Sequence, residues 1–234
     1  MKIALVTGGS RGIGAAIVKK FASEGYTVIL NYNKSEGCAQ ELQRQLASAG
    51  CDVHLVRADV SRCEEVSSMF QFVRKYFKHL DVLVNNAGVC HYSLCQDVSE
   101  NDYDNVMDVN AKGTFFCCQQ AAKMFVNQGY GAIVNVSSIW GLFGSACESV
   151  YSMSKHAVVG LTKSLAKELR ESNVSVNCVC PPIVLTDMCS DFSQEEVQEF
   201  CNENDVNVFT AEQVADDVFG LAISNDTGII LQER

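Results

Sequence analysis

The sequence predicts an α/β fold, a doubly wound parallel sheet of about seven strands with helices on both faces. Three observations lead there. Short apolar runs alternate with helical stretches along the chain. The runs are apolar at consecutive positions, as strands buried on both faces read. The helical stretches are long enough to carry the crossovers that parallel strands require.

Residues 2–7 form the first run and end in glycines; residues 12–23 then carry helical periodicity through Ile13, Ile17, Val18 and Phe21. Residues 26–30 are the second run, and residues 35–49 a helix stopped by Gly50. Residues 52–57 are the third run, followed by a helix over 61–77 with Val66, Phe70, Val73 and Phe77 on one face. Residues 81–84, the fourth run, are cut off by Asn85-Asn86-Ala87-Gly88. One long helix is expected over 101–127, then a fifth run at 132–136 and a strong helix over 151–171. The sixth run, 174–179, stops at Pro181-Pro182, and 229–231 read as the last strand. With right-handed crossovers this is one sheet, and a chain of 234 residues suits a single domain over 1–234. Residues 183–210 are the least regular, polar with Phe192, Val197, Phe200, Val206, Val208 and Phe209 scattered through them. Such a segment beyond a strand end reads as a substrate lid or as an ordinary packed excursion.

Composition narrows the function classes. Lys plus Arg number 18 and Asp plus Glu 28, a net charge of −10. An acidic chain lacks the field that gathers nucleic acid or anionic membrane. No stretch approaches 18 apolar residues, and the first run is too short for a signal-peptide core. The expected location is the cytoplasm. There are 12 cysteines without any C-x-x-C spacing, and His54, His79, His91 and His156 do not cluster with them. They read as small buried hydrophobes in a reducing compartment, and no metal is expected.

Thr7-Gly8-Gly9-Ser10-Arg11-Gly12-Ile13-Gly14 joins the first run to the first helix. Glycines there permit a tight turn, close backbone approach to phosphate, and close packing of helix on sheet. The helix N-terminus offers free N–H groups to a pyrophosphate. A glycine cluster also makes plain turns, but strand before and helix after favour phosphate binding. Gly8, Ser10, Arg11, Gly12, Ile13 and Gly14 are the candidate contacts. A carboxylate at the end of the second strand would hold the ribose of NAD. That place reads Leu30-Asn31-Tyr32-Asn33-Lys34, and Arg11 and Lys34 could neutralise a 2′-phosphate. NADP(H) is expected over NAD(H).

Tyr151 and Lys155 stand at i and i+4 of a helix, on one face. An adjacent ammonium favours phenolate and makes tyrosine usable as a general acid. Ser138 lies beyond the fifth run, Asn110 in the long helix.

Together these motifs resemble the short-chain dehydrogenase/reductase family, and within it the bacterial 3-oxoacyl-[acyl-carrier-protein] reductases. The matching residues are Thr7–Gly14, Asp59-Val60, Asn85–Gly88, Asn110, Ser138, Tyr151, Lys155 and the turn from Pro181 to Thr186. The resemblance implies a Rossmann-type fold and NADP(H)-dependent reduction of a ketone to a secondary alcohol. Tyr151 is then the general acid, and Lys155 depresses its pKa and holds the nicotinamide ribose. Ser138 bonds the carbonyl oxygen, and Asn110 holds a relay water. Asn31, Asp59, Val60, Asn86, Ala87 and Gly88 fall on the adenosine side, with Pro181, Ile183 and Thr186 beside nicotinamide. The implied substrate is a small-molecule ketone or acyl thioester, with acyl carrier protein as a further candidate partner, in fatty acid biosynthesis. An alcohol or hydroxysteroid dehydrogenase of the same fold, and a non-catalytic NADP-binding regulator, remain alternatives.

Four features depart from the family pattern. Pro182 replaces a usual glycine, removing a backbone donor beside the nicotinamide. Glu148 replaces a usual glutamine three residues before Tyr151, and faces either the substrate pocket or solvent. Residues 127–129 and 171–173 lack the basic side chains that suit an acidic carrier. The tail after the last strand is short, so a homo-dimer built on helices 101–127 and 151–171 is expected, with the second interface of the usual homo-tetramer weakened. Cys90 and Cys147 are expected near the crevice.

Overall fold

In β1 (Ile3–Val6) every side chain is buried, yet successive residues enter different cores. Ala4 and Val6 join one hydrophobic cluster; Ile3 and Leu5 join another on the opposite face. Side chains alternate across a strand, so a strand covered on both faces reads as a nearly continuous apolar run. The computed structural model describes residues 1–185, 195, 197, 201 and 207–232.

The strands that follow are β2 (Thr27–Tyr32), β3 (Val53–Arg57), β4 (Val82–Asn85), β5 (Gly131–Val136), β6 (Val174–Cys180) and β9 (Ile230–Gln232). They form one seven-stranded sheet in the order β3-β2-β1-β4-β5-β6-β9, and all its pairs are parallel. A parallel pair, β7 (Ile183–Val184) with β8 (Val208–Phe209), stands apart. Helices α1 (Gly12–Ser23), α2 (Glu36–Ser48) and α7 (Ala211–Ile223) cover one face. On that face the Phe21 and Phe219 rings meet edge-on at 5.2 Å. Helices α3 (Cys63–Tyr76), α5 (Thr114–Gln128) and α6 (Ser149–Glu168) cover the other. The chain winds outward through β2 and β3, then returns across β1 to β4. That reversal opens a crevice at the carboxyl ends of β1 and β4.

The single helix expected over 101–127 is instead two. Helix α4 (Glu100–Met107) begins at a capping box between Ser99 and Asp102. A π-helical turn over Asp108–Gly113 separates it from α5. The cause is tertiary. The Asn110 amide bonds both the N–H and the carbonyl of Val89, at 2.9 Å each. Gly113 sits so close to β3's following loop that a Cβ there would lie 2.9 Å from the Val60 carbonyl. Helix periodicity cannot register either contact, and π turns of this kind gather at functional sites. Helix α7 and the β7/β8 pair were not among the expected elements. Of the region 183–210, residues 183–185, 195, 197, 201 and 207–210 are described. The remainder of the expected lid, with Phe192, Phe200 and Val206, lies outside the described residues.

Candidate active site

At the β1 end of the crevice the backbone is the working surface. Gly8 turns with φ +62, a left-handed value that glycine adopts without cost. A Cβ on Gly14 would collide with the Gly8 carbonyl, so α1 can start here only with glycine. Arg11 at the α1 N-cap is extended and makes no side-chain capping bond, and the first turn carries no acidic residue. The helix start therefore presents its N–H groups and partial positive charge to the crevice.

Side chains behind this loop hold it in place. Thr7 Oγ1 accepts the N–H groups of Asn86 (3.0 Å) and Ala87 (3.1 Å). Asn86 Nδ2 donates to the carbonyls of Thr7 (3.0 Å) and Gly8 (3.1 Å). Asn31 Oδ1 accepts from Gly8 N at 3.3 Å, while its Nδ2 donates to Ala58 O at 3.0 Å and Val56 O at 3.3 Å. Asn31 is thus a tie between the glycine loop and β3. Asp59 accepts from Ser61 N (3.0 Å) and Oγ (2.7 Å). Burial opposes its ionisation, but the bonds from Ser61 and Asn33 outweigh that and hold its carboxyl below the ordinary value.

At the other end the working group is a buried side chain. Lys155 is 4% exposed, and its Nζ donates to Val136 O at 3.1 Å. It lies 5.6 Å from the centre of the Tyr151 ring. Burial pushes the ammonium down to about 8, against the opposing influence of Cys178, Cys180 and Cys90. Ser137 Oγ donates to the Lys155 carbonyl at 2.9 Å and fixes α6 against the end of β5. Tyr151, half-buried, packs with Ile183 against Ile139, Trp140, Val197 and Cys201. Ser138 is buried, and its Oγ accepts from Trp140 N at 3.2 Å, leaving its hydroxyl proton available. Asn110 Nδ2 also donates to Ser154 Oγ at 3.0 Å, and Ser154 in turn donates to Tyr151 O at 2.7 Å. The π turn is thereby tied to the helix that bears Tyr151.

A cleft of about 570 Å³ joins the two ends, a volume ordinary for small-molecule sites. Its walls include Gly8, Ser10, Arg11, Gly12, Ile13 and Gly14 from the glycine loop. Asn31, Lys34, Asp59 and Val60 line one side, and Asn86, Ala87 and Gly88 the floor, with Tyr151 and Lys155 at the far end. Asn110 stands directly behind: a Cβ on Gly88 would lie 3.4 Å from Asn110 Oδ1 and 3.5 Å from Lys155 Nζ. Ser138, Pro181 and Ile183 are not lining residues of this cleft. Both prolines are buried, and Pro181 O accepts from Ile139 N at 2.9 Å. Thr186 lies outside the described residues. Sequence reasoning passed over Ser137 and Ser154, each directly beside a motif residue, and gave Thr7 no role of its own within the glycine motif. Cys90, expected near the crevice, lines the cleft.

The described cysteines are free, and no group of His, Cys, Asp and Glu among the described residues has the makings of a metal site. No helix among the described residues is long and apolar enough to cross a membrane. A family model described as short chain dehydrogenase matches residues 2–197. The 3-oxoacyl-[acyl-carrier-protein] reductase FabG of Staphylococcus aureus is 41% identical over 194 residues, 83% of this chain and 79% of its own. That of Aquifex aeolicus is 36% identical over 221 residues, 94% of this chain and 89% of its own. The reductase of Synechocystis is 35% identical over 199 residues, 85% and 81% of the two chains.

Proposed function

The chain belongs to the short chain dehydrogenase family, and from that premise we propose that it is an NADP(H)-dependent reductase of a 3-oxoacyl thioester or related small ketone. One observation carries the reading. A buried lysine lies beneath the Tyr151 ring at one end of a cleft whose other end is a glycine-cradled helix start.

The residues fit a nicotinamide dinucleotide. The space that a Gly14 side chain would fill is the close approach of α1 to the glycine loop, and the uncapped N–H groups suit a pyrophosphate. Arg11 and Lys34 line the part of the cleft where a 2′-phosphate would lie, and the end of β2 carries Asn31 in place of a carboxylate. Asp59, Val60 and Asn86 to Gly88 flank the adenosine portion. Pro181 and Ile183 are assigned to the nicotinamide side by the family resemblance, as is Thr186. A bound nicotinamide supplies the hydride.

The chain's own residues handle the proton. Tyr151 gives its phenolic proton to the carbonyl oxygen, and the Lys155 ammonium stabilises the phenolate that remains. The Ser138 hydroxyl donates to the same oxygen as charge develops there. The Asn110 amide is committed to Val89 and Ser154, so a relay water at Asn110 rests on its main chain. The groove between α5 and α6, with Phe115, Ala122, Val126 and Leu165 along it, is where a second copy would dock in a homo-dimer or homo-tetramer. The cytoplasm is the proposed location, and acyl carrier protein the proposed carrier of an acyl substrate.

The test is NADPH oxidation against acetoacetyl thioesters, simple ketones, sugars and steroid ketones, with NADH in parallel. The expected result is turnover of a 3-oxoacyl thioester or small ketone. NADPH is expected to exceed NADH by roughly tenfold in kcat/KM, the effect of about 1.4 kcal/mol at the 2′-phosphate. Equal use of NADH overturns the cofactor choice, and inertness toward every ketone overturns the activity.

A further inference from the structure

Glu148 lies one helical turn before Tyr151, at the N-cap of α6. Cys90 Sγ, part of the cleft wall, donates to Glu148 Oε1 at 3.1 Å. That bond joins the loop after β4 to the start of α6 across 58 residues. A second tie runs alongside it, from Ser93 N to Cys147 O at 2.7 Å. Cys147 holds φ +61, a left-handed value uncommon for a residue with a Cβ. Strain of this kind persists where the surroundings over-determine it, as the two ties do here. Burial, and then the Glu148 bond, push the Cys90 thiol well above its ordinary value, so it stays protonated and keeps donating. The carboxylate is therefore held beside the cleft wall.

Charges near this end act strongly. Lys155 is buried, and its depressed ammonium pKa reports a poorly solvated surrounding. Alone, its positive charge would draw any anion to the reacting position. Glu148 is the carboxylate bonded to that wall, and it opposes that pull. Asp102, a further carboxylate beside this loop, is 3.8 Å from His91 and engaged in the α4 capping box. Arg11 and Lys34 line the glycine-loop side of the cleft.

We propose that Glu148, oriented by Cys90, selects substrate by charge, so that the site takes neutral ketones and turns away those with a carboxylate near the reacting carbonyl. The inference rests on the ketone-reductase reading and deepens it by naming the charge class of the substrate. A 3-oxoacyl thioester or ester is admitted, and the corresponding free 3-oxo acid is disfavoured.

Acetoacetate and ethyl acetoacetate present the same ketone with and without a charge. The measurement is the ratio of their kcat/KM values at saturating NADPH, in which any loss of folded enzyme cancels. Glu148→Gln retains an acceptor for Cys90 while removing the charge. It is expected to raise the acetoacetate ratio roughly tenfold, as one charge in a partly desolvated site would. In the wild-type protein the same ratio is expected to rise with ionic strength, because salt screens the repulsion. That arm needs no variant to fold. A ratio unchanged by Glu148→Gln, or a wild-type ratio indifferent to salt, overturns the inference while ethyl acetoacetate turnover keeps the reductase reading. A wild-type protein inert toward both ketones overturns the proposed function and this inference with it.

Discussion

The two ends of the cleft hold their chemistry by opposite means. At the glycine end the side chains turn inward: Thr7, Asn31 and Asn86 spend their hydrogen bonds on the loop, and the backbone faces the cleft. At the lysine end a charged side chain itself lines the cleft, and the fold buries it. The first arrangement satisfies its polar groups and stabilises the fold. The second works against stability, since an ammonium removed from water loses solvation that one carbonyl does not restore. Damage to the glycine end should therefore weaken cofactor binding, and damage to the lysine end should stop turnover without weakening the fold.

The largest expected effect is that of Tyr151→Phe. Without the phenolic proton, kcat falls about 10³-fold while NADPH binding, read by nucleotide fluorescence, is retained. Retention of a tenth or more of the activity would break the assignment of chemistry to this end. Lys155→Met comes next, with kcat lower by about 10²-fold through loss of support for the phenolate. Asn86→Ala acts at the opposite end. It removes the bonds onto the Thr7 and Gly8 carbonyls, and the KM for NADPH rises about tenfold with kcat little changed. A kcat loss without a change in KM would erase the contrast between the ends. Lys34→Ala should have the smallest effect, lowering the NADPH-over-NADH preference roughly fivefold.

The same contrast divides what the sequence makes legible from what it hides. The sheet is legible because burial on both faces favours apolar side chains at consecutive positions, as Ile3–Val6 and the run Val82, Leu83 and Val84 illustrate. The Tyr151 and Lys155 pairing is legible because a helix converts a spacing of four into one face. The loop glycines are legible because close approach forbids a side chain. Contacts between distant segments leave no local trace. Asn31 reads as a cofactor contact at the end of β2 and serves also as a tie to β3. The break at Asn110 depends on Val89, 21 residues earlier. The posture of Glu148 depends on Cys90, 58 residues away. Helix α7 has a capping box at Thr210 and Gln213, a signal that sequence inspection passed over.

Lys155 is a buried charge, held in the fold at the expense of stability. Its folded pKa of about 8 lies below the ordinary 10.5. Between those values the unfolded chain holds a proton that the folded chain has released, so stability rises with pH across that window. Below it the ammonium costs about 3 kcal/mol. The deciding measurement is thermal unfolding of the cofactor-free protein and of Lys155→Met across pH 7 to 11. The variant is expected to be more stable near pH 7, and its advantage to narrow from pH 8 to 10.5, where the folded wild-type lysine has lost the proton that the unfolded chain still holds. A variant less stable than wild type at pH 7, with parallel curves at higher pH, would contradict it.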